Sequence, residues 1–229
     1  MSHLQQRVWL AGATGLVGRA LLAQLLNQPM HIDVLLRRPV KGLPSSFPNS
    51  PRLHLHQVDF SRADLAAEGL SAADAAYICL GTTLAVAGSQ AAFRAVDFDA
   101  VMNVARAARA AGARRCAVVS ALGADPASSV FYNRVKGEME QALIDLRFER
   151  LVIARPSLLD GDRAQLGQAK RSGEAWALRL SRPFLGLIPA KWRPIQAEVL
   201  ARALILALGQ DGPALQLLES DQLQTLGAP

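Results

Sequence analysis

Three glycines, Gly12, Gly15 and Gly18, sit between a short apolar run and a helical stripe, and they restrict what this chain can fold into more than any other feature. Arg7 to Ala11 is rich in strand formers and stops at Gly12. From Leu16 the apolar positions Leu16, Val17, Ala20, Leu21 and Leu25 recur at helical spacing. A strand that turns through glycines directly into a helix lets backbone N–H groups approach a pyrophosphate, with the positive end of the helix dipole behind them. The first glycine permits the sharp turn and the last lets helix and strand pack closely. The spacing is G-x-x-G-x-x-G rather than G-x-G-x-x-G, and a tight turn that holds no ligand is the bland alternative. In its strand–turn–helix context, Gly12-Ala13-Thr14-Gly15-Leu16-Val17-Gly18 is read as the phosphate cradle of a dinucleotide site.

The rest of the chain keeps the rhythm that this start implies. Further strands are predicted at His31–Leu36, Leu53–Val58, Ala75–Leu80, Ala117–Ser120 and Leu151–Ala154. Helices are predicted over Gln90–Ala111, Phe131–Leu146 and Gln196–Leu208. Buried apolar strands alternating with amphipathic helices argue an α/β fold, a doubly wound parallel sheet of the Rossmann type, with a small C-terminal cap-like region. The expected layout is one domain over 1–229, with 157–195 as a substrate-side cap. That cap holds the turn Asp160-Gly161-Asp162, a short helix at Gly173–Ser181, and three aromatics, Trp176, Phe184 and Trp192, that would pack the cap or make a pocket apolar.

At 229 residues, 51% of them apolar, the chain can bury a sizeable core, which argues against disorder. The net charge of +6 comes almost wholly from arginine, 21 Arg against 4 Lys. The arginines are scattered and aromatics are 5%, with no basic–aromatic interleaving of the kind that stacks bases, so no nucleic-acid partner is expected. Cys79 and Cys116 lie in apolar strand-like runs and read as buried thiols in a reducing compartment. His3, His31, His54 and His56 share no motif with cysteines or paired carboxylates, so no metal site is expected. With no secretory pattern and no spanning stretch, the expected location is the cytoplasm, with no membrane partner. The helix near Val199 could build a homodimer face, although ordinary core is the simpler reading.

Which dinucleotide fits is decided at the tip of the second strand. An NAD site wants an acid there for the ribose hydroxyls. This strand instead ends Leu35-Leu36-Arg37-Arg38, and a guanidinium there would pair with a 2′-phosphate. NADP(H) is therefore favoured over NAD(H), against the alternative that both arginines are solvated. Asp59 and Phe60 follow the third strand, where Asp59 would either bind the adenine amino group or simply form a turn.

Tyr132 and Lys136 lie four apart on one helix face. An ammonium beside a phenol favours phenolate, which lets tyrosine move a proton near neutral pH. Ser120, at the end of the fifth strand, is the candidate for binding the substrate oxygen. These residues resemble those of the short-chain dehydrogenase/reductase superfamily in its atypical and extended branches, and in particular the Tat-interacting-protein-like oxidoreductases. The matching pieces are Gly12-Ala13-Thr14-Gly15, then Cys79-Leu80-Gly81-Thr82-Thr83, Ser120-Ala121-Leu122-Gly123-Ala124-Asp125, Tyr132 with Lys136-Gly137-Glu138, and Arg155-Pro156.

The resemblance implies an NADPH-dependent oxidoreductase acting on a small-molecule carbonyl or alcohol. Tyr132 would be the acid/base, Lys136 would hold the nicotinamide ribose, and Ser120 would orient the substrate. Leu80, Gly81, Thr82, Thr83, Arg155 and Pro156 would line the cofactor. Two departures stand out: Ala121 replaces a second serine usual in the family, leaving Ser128 and Ser129 as spare hydroxyls, and the Asn-Ala-Gly-type turn after the fourth strand is absent. Asn103 sits where related enzymes often keep an asparagine, or is a helix-surface residue. A regulatory NADPH-binding sensor acting through a protein partner, and an epimerase or dehydratase, are the alternatives.

Overall fold

The computed structural model describes residues 6–37, 50–65, 70–160 and 189–229. Seven strands form one sheet: β1 (Arg7–Ala11), β2 (His31–Leu36), β3 (Leu53–Gln57), β4 (Ala75–Ile78), β5 (Arg115–Val119), β6 (Arg150–Arg155) and β9 (Leu215–Glu219). Their order is β3-β2-β1-β4-β5-β6-β9 and every pairing is parallel. The expected doubly wound α/β fold is what the chain adopts. The order reverses beside β1: the chain first builds outward through β2 and β3, then crosses back to β4. A crevice therefore opens above the C-terminal ends of β1 and β4, where such sheets take their ligands.

Strand periodicity divides the core. Val8 and Leu10 face one side, packed with α1 (Leu16–Leu25) and α6 (Ala197–Gly209). Trp9 and Ala11 face the other, packed with α4 (Val101–Ala110) and α5 (Phe131–Asp145). Trp9 is fully buried because its indole N–H reaches the Ser71 carbonyl at 3.2 Å, so no donor is stranded.

Three features depart from the sequence expectation. The long helix predicted over Gln90–Ala111 is built from α3 (Gln90–Arg94), a π-helical stretch (Ala95–Ala100) and α4. A short helix α2 (Leu84–Ala87), capped by Thr83, precedes it. The chain after α6 is structured as well: β9 adds the seventh strand and α7 (Ser220–Leu226) follows through a capping box between Glu219 and Gln222.

Within 157–195, the described residues include β7 (Leu159–Asp160), paired in parallel with β8 (Ile195–Gln196), and a 3-10 turn at Ala190–Trp192. Arg38, the helix expected at 173–181, Trp176 and Phe184 lie outside the described residues. Trp192 is 62% exposed. Among the described residues, no helix is long and apolar enough to cross a membrane.

Candidate active site

The glycine turn has the geometry of a cradle. Gly12 has φ of +91°, in the left-handed region, and a Cβ there would stand 2.5 Å from the Cys79 carbonyl carbon and oxygen. A Cβ on Gly18 would stand 2.1 Å from the Gly12 carbonyl oxygen, so only glycine lets α1 start this close to the turn. The Gly15 N–H closes the turn onto that same oxygen at 2.9 Å, and the Cys79 N–H donates to the Ala11 carbonyl at 2.8 Å. Ala13 is buried, Val17 packs into the core beside Leu16, and the Thr14 carbonyl accepts from Arg19 Nε at 3.3 Å. The first turn of α1 has no side-chain cap and no acidic residue. Its N–H groups are thus left for an anion, which is what a pyrophosphate needs.

At the C-terminal ends of β2 and β3, next to β1 in the sheet, an open cleft of about 500 Å³ is lined by Arg37, Gln57, Val58, Asp59 and Arg62. The acid that β2 does carry is Asp33, fully buried and held by His56 Nε2 at 2.7 Å and Arg7 Nη1 at 3.4 Å, away from the strand tip. Asp59 behaves as the turn-forming alternative requires: its Oδ1 accepts from the Ser61 hydroxyl at 2.7 Å and the Ser61 N–H at 3.0 Å. The Ser61 hydroxyl, followed by its N–H, holds the Asp59 carboxyl below the usual carboxylate range. Arg62, which the sequence reading missed, brings a second guanidinium to the cleft while pairing with Asp64 at 2.8 Å. A basic residue just past the third strand was the available signal. Asn103 is not on the helix surface: it is buried, and its Nδ2 donates to the Phe60 carbonyl at 3.0 Å, tying α4 to the loop after β3.

Tyr132 and Lys136 open α5 as expected. The Tyr132 ring tilts against the buried Phe93 with centroids 5.4 Å apart. Lys136 is 3% exposed, and its Nζ lies 2.7 Å from Asp97 Oδ1, an ion pair without hydrogen-bond alignment at that oxygen. Asp97 belongs to the π-helical stretch, is itself fully buried, and accepts the Thr82 N–H on its other oxygen at 2.8 Å. A Cβ on Gly81 would stand 3.3 Å from Asp97 Oδ1 and 3.8 Å from Lys136 Nζ. The loop after β4 and the Tyr132–Lys136 helix are thereby brought together. Leu80 packs onto the second core and Thr83 Oγ1 accepts the Val86 N–H at 3.3 Å.

Ser120 and Arg155 belong to a different cluster. The buried Ser120 hydroxyl donates to Glu140 Oε1 at 2.5 Å, and Arg155 Nε donates to the same oxygen at 3.0 Å. Arg155 also reaches Glu219 Oε1 at 3.3 Å, so its guanidinium bridges α5 to β9. The Glu140 hydrogen bonds raise the Arg155 pKa further above its ordinary value. The Pro156 carbonyl accepts the Leu122 N–H at 2.9 Å. Glu140 was also missed, although it continues the spacing of four from Tyr132 through Lys136. Burial pushes both thiols, Cys79 and Cys116, up to about 12, which makes them inert at neutral pH.

This geometry has counterparts. A family model described as NAD(P)H-binding matches residues 12–174, from the first glycine of the cradle onward. The chain belongs to the NAD(P)H-binding family. Protein HTATIP2 of Rattus norvegicus is 34% identical over 226 residues, covering 96% of this chain and 88% of that protein. The mitochondrial protein FMP52 of Coccidioides immitis is 37% identical over 221 residues, covering 86% of this chain and 83% of its own length. The resemblance to Tat-interacting-protein-like oxidoreductases is borne out. Among solved structures, the Bordetella bronchiseptica enzyme WbmH in complex with NAD+ superposes with a TM-score of 0.70 at 16% identity, over 94% of this chain and 76% of that one. That likeness shows the Rossmann architecture. The cradle, the uncapped α1 and the cleft at the ends of β2 and β3 fit the nicotinamide dinucleotide that this family binds.

Proposed function

We propose that the chain is an NADPH-dependent oxidoreductase that reduces a small carbonyl compound, or runs the reverse reaction. The observation that carries this reading is Lys136, buried and ion-paired beside Gly81 of the β4 loop, one helical turn from Tyr132. A buried ammonium is costly to maintain and is uncommon without a task. NADPH, when bound, supplies the hydride that reduces the carbonyl carbon. Tyr132 delivers its phenolic proton to the carbonyl oxygen, so that C=O becomes CH–OH, and the phenolate then recovers a proton from solvent. Lys136 holds the ribose and stabilises the phenolate while its proton is gone. The Ser120 hydroxyl donates its hydrogen bond to Glu140 and keeps the end of β5 in place, which leaves Tyr132 as the donor to the carbonyl.

The preference for NADPH over NADH is part of the same proposal. Arg37 and Arg62 share the cleft at the ends of β2 and β3, and the acid of β2 is already engaged by His56 and Arg7. Guanidinium groups suit a 2′-phosphate, which the ribose of NADH lacks. We place the enzyme in the cytoplasm, where two free thiols stay reduced; the FMP52 relatives are named as mitochondrial, and cell fractionation decides between the two.

A panel of small aldehydes and ketones, with NADPH consumption followed by absorbance, tests the reading. Turnover that falls about 10²-fold or more in Tyr132→Phe, with NADPH affinity retained, is the expected result. Tight NADPH binding with no turnover that depends on Tyr132 would replace the enzyme by the cofactor-bound regulator.

A further inference from the structure

We infer that Asp97 is a positioning residue: it holds Lys136 as an ammonium against the β4 loop, and so couples the cofactor loop to the acid/base helix. The inference rests on the oxidoreductase reading and names a residue that the Tyr132–Lys136 pairing leaves out.

Three observations meet at this carboxylate. It lies in the π-helical stretch between α3 and α4, a distortion found frequently at functional sites. It is fully buried, where an isolated charge would be expensive, and its oxygens take different partners, Lys136 Nζ at 2.7 Å and the Thr82 N–H at 2.8 Å. Gly81 packs on the pair from the loop side, close enough that its missing side chain matters. Lys136, Asp97 and Thr82 therefore form one rigid link from α5 through the helix to the loop. A neutral residue at position 97 would leave the Lys136 charge buried without a partner and release the Thr82 amide, which would loosen the loop and the ammonium together.

The chain has only four lysines, Lys41, Lys136, Lys170 and Lys191, so lysine carbon NMR on [ε-13C]lysine-labelled protein reads Lys136 directly. In Asp97→Asn, the Lys136 signal at neutral pH should leave its place in the parent spectrum, because the carboxylate beside the ammonium is gone. NADPH affinity should weaken by about tenfold or more. In Asp97→Glu, which restores the charge, both should return towards the parent. An Asn variant with the parent's Lys136 signal and NADPH affinity overturns the inference, even if it melts earlier, because that outcome is structural support alone. If the Asn variant does not fold, Asp97→Glu decides: a folded Glu variant with the parent's Lys136 signal and NADPH affinity supports the inference, and one that folds with both displaced overturns it. Should the parent bind no NADPH, the oxidoreductase reading fails, while the Lys136 signal still reads the Asp97 pairing.

Discussion

Replacing Gly18 by alanine puts a methyl group 2.1 Å from the Gly12 carbonyl oxygen, 2.6 Å from the Gly12 carbonyl carbon and 2.9 Å from Ala13 Cα. All three neighbours are backbone, so no rotamer change can relieve them. The helix must move away from the turn. Overpacking of this kind costs about 1–3 kcal/mol, and the absence of any flexible neighbour puts Gly18→Ala at the upper end. The gain from alanine over glycine inside a helix, about 1 kcal/mol, offsets only part of a cost that also includes the displaced turn. Taking a net loss of about 2–3 kcal/mol, and a fall of about 2–4 °C in Tm per kcal/mol for a domain of this size, the melting temperature should drop by roughly 4–12 °C. The matched control is Gly209→Ala at the end of α6, where a Cβ would meet nothing within 4 Å. That variant should melt at or slightly above the parent temperature. Thermal unfolding of the three proteins, each followed by an NADPH titration, checks both halves: Gly18→Ala should also lose most of its affinity, because the N–H groups of α1 move with the helix. A Gly18→Ala protein melting within about 2 °C of the parent and binding NADPH equally well would refute the close-packed cradle.

Glu140→Gln removes the charge that accepts Ser120 and Arg155 in the buried cluster. Denaturant unfolding should show a loss of about 2–3 kcal/mol, below the usual range for a broken buried pair because the Arg155 side chain is 21% exposed; a loss under about 0.5 kcal/mol would contradict the assignment. Asn103→Ala frees the Phe60 carbonyl and should cost about 1–2 kcal/mol in the same assay, with unchanged stability counting against the tether. Stability should also fall with rising alkalinity. The Cys116 thiol is raised from 9.0 to about 12 by burial, so between these values the unfolded chain has lost a proton that the folded chain keeps. Stability contributed by this group is therefore complete below pH 9 and declines by about 1.4 kcal/mol per pH unit up to 12. Tyr77, whose phenol is raised mainly by burial, adds to the decline above pH 10, where the unfolded phenol begins to ionise. Unfolding free energy that stays flat from pH 9 to 11 would contradict the burial of Cys116.

The central strands were legible because each is a short apolar run bounded by turn residues, and β1 and β2 lie where the pattern put them. The seventh strand was not. In Leu215–Glu219 only Leu218 is buried, and Leu217 and Leu215 stay exposed, so its pattern carries little contrast; pairing with β6 makes it a strand. The π-helical stretch was invisible for a related reason. A helical stripe reads alike with or without one extra residue, and an acid such as Asp97 looks like surface until its partner is known. Lys136 and Tyr132 were found by spacing along one helix. Asp97 and Glu140 needed partners from other elements, Lys136 for one and Ser120 with Arg155 for the other, and tertiary pairing leaves no periodic trace.

The most direct test of an NADPH site at this cradle is equilibrium titration of the purified protein with NADPH and with NADH, followed by fluorescence, in the parent and in Arg37→Ala. NADPH should bind at least about tenfold more tightly than NADH, and Arg37→Ala should remove most of that margin while leaving NADH affinity unchanged. Equal affinities that ignore Arg37, or no binding of either nucleotide, would contradict the account.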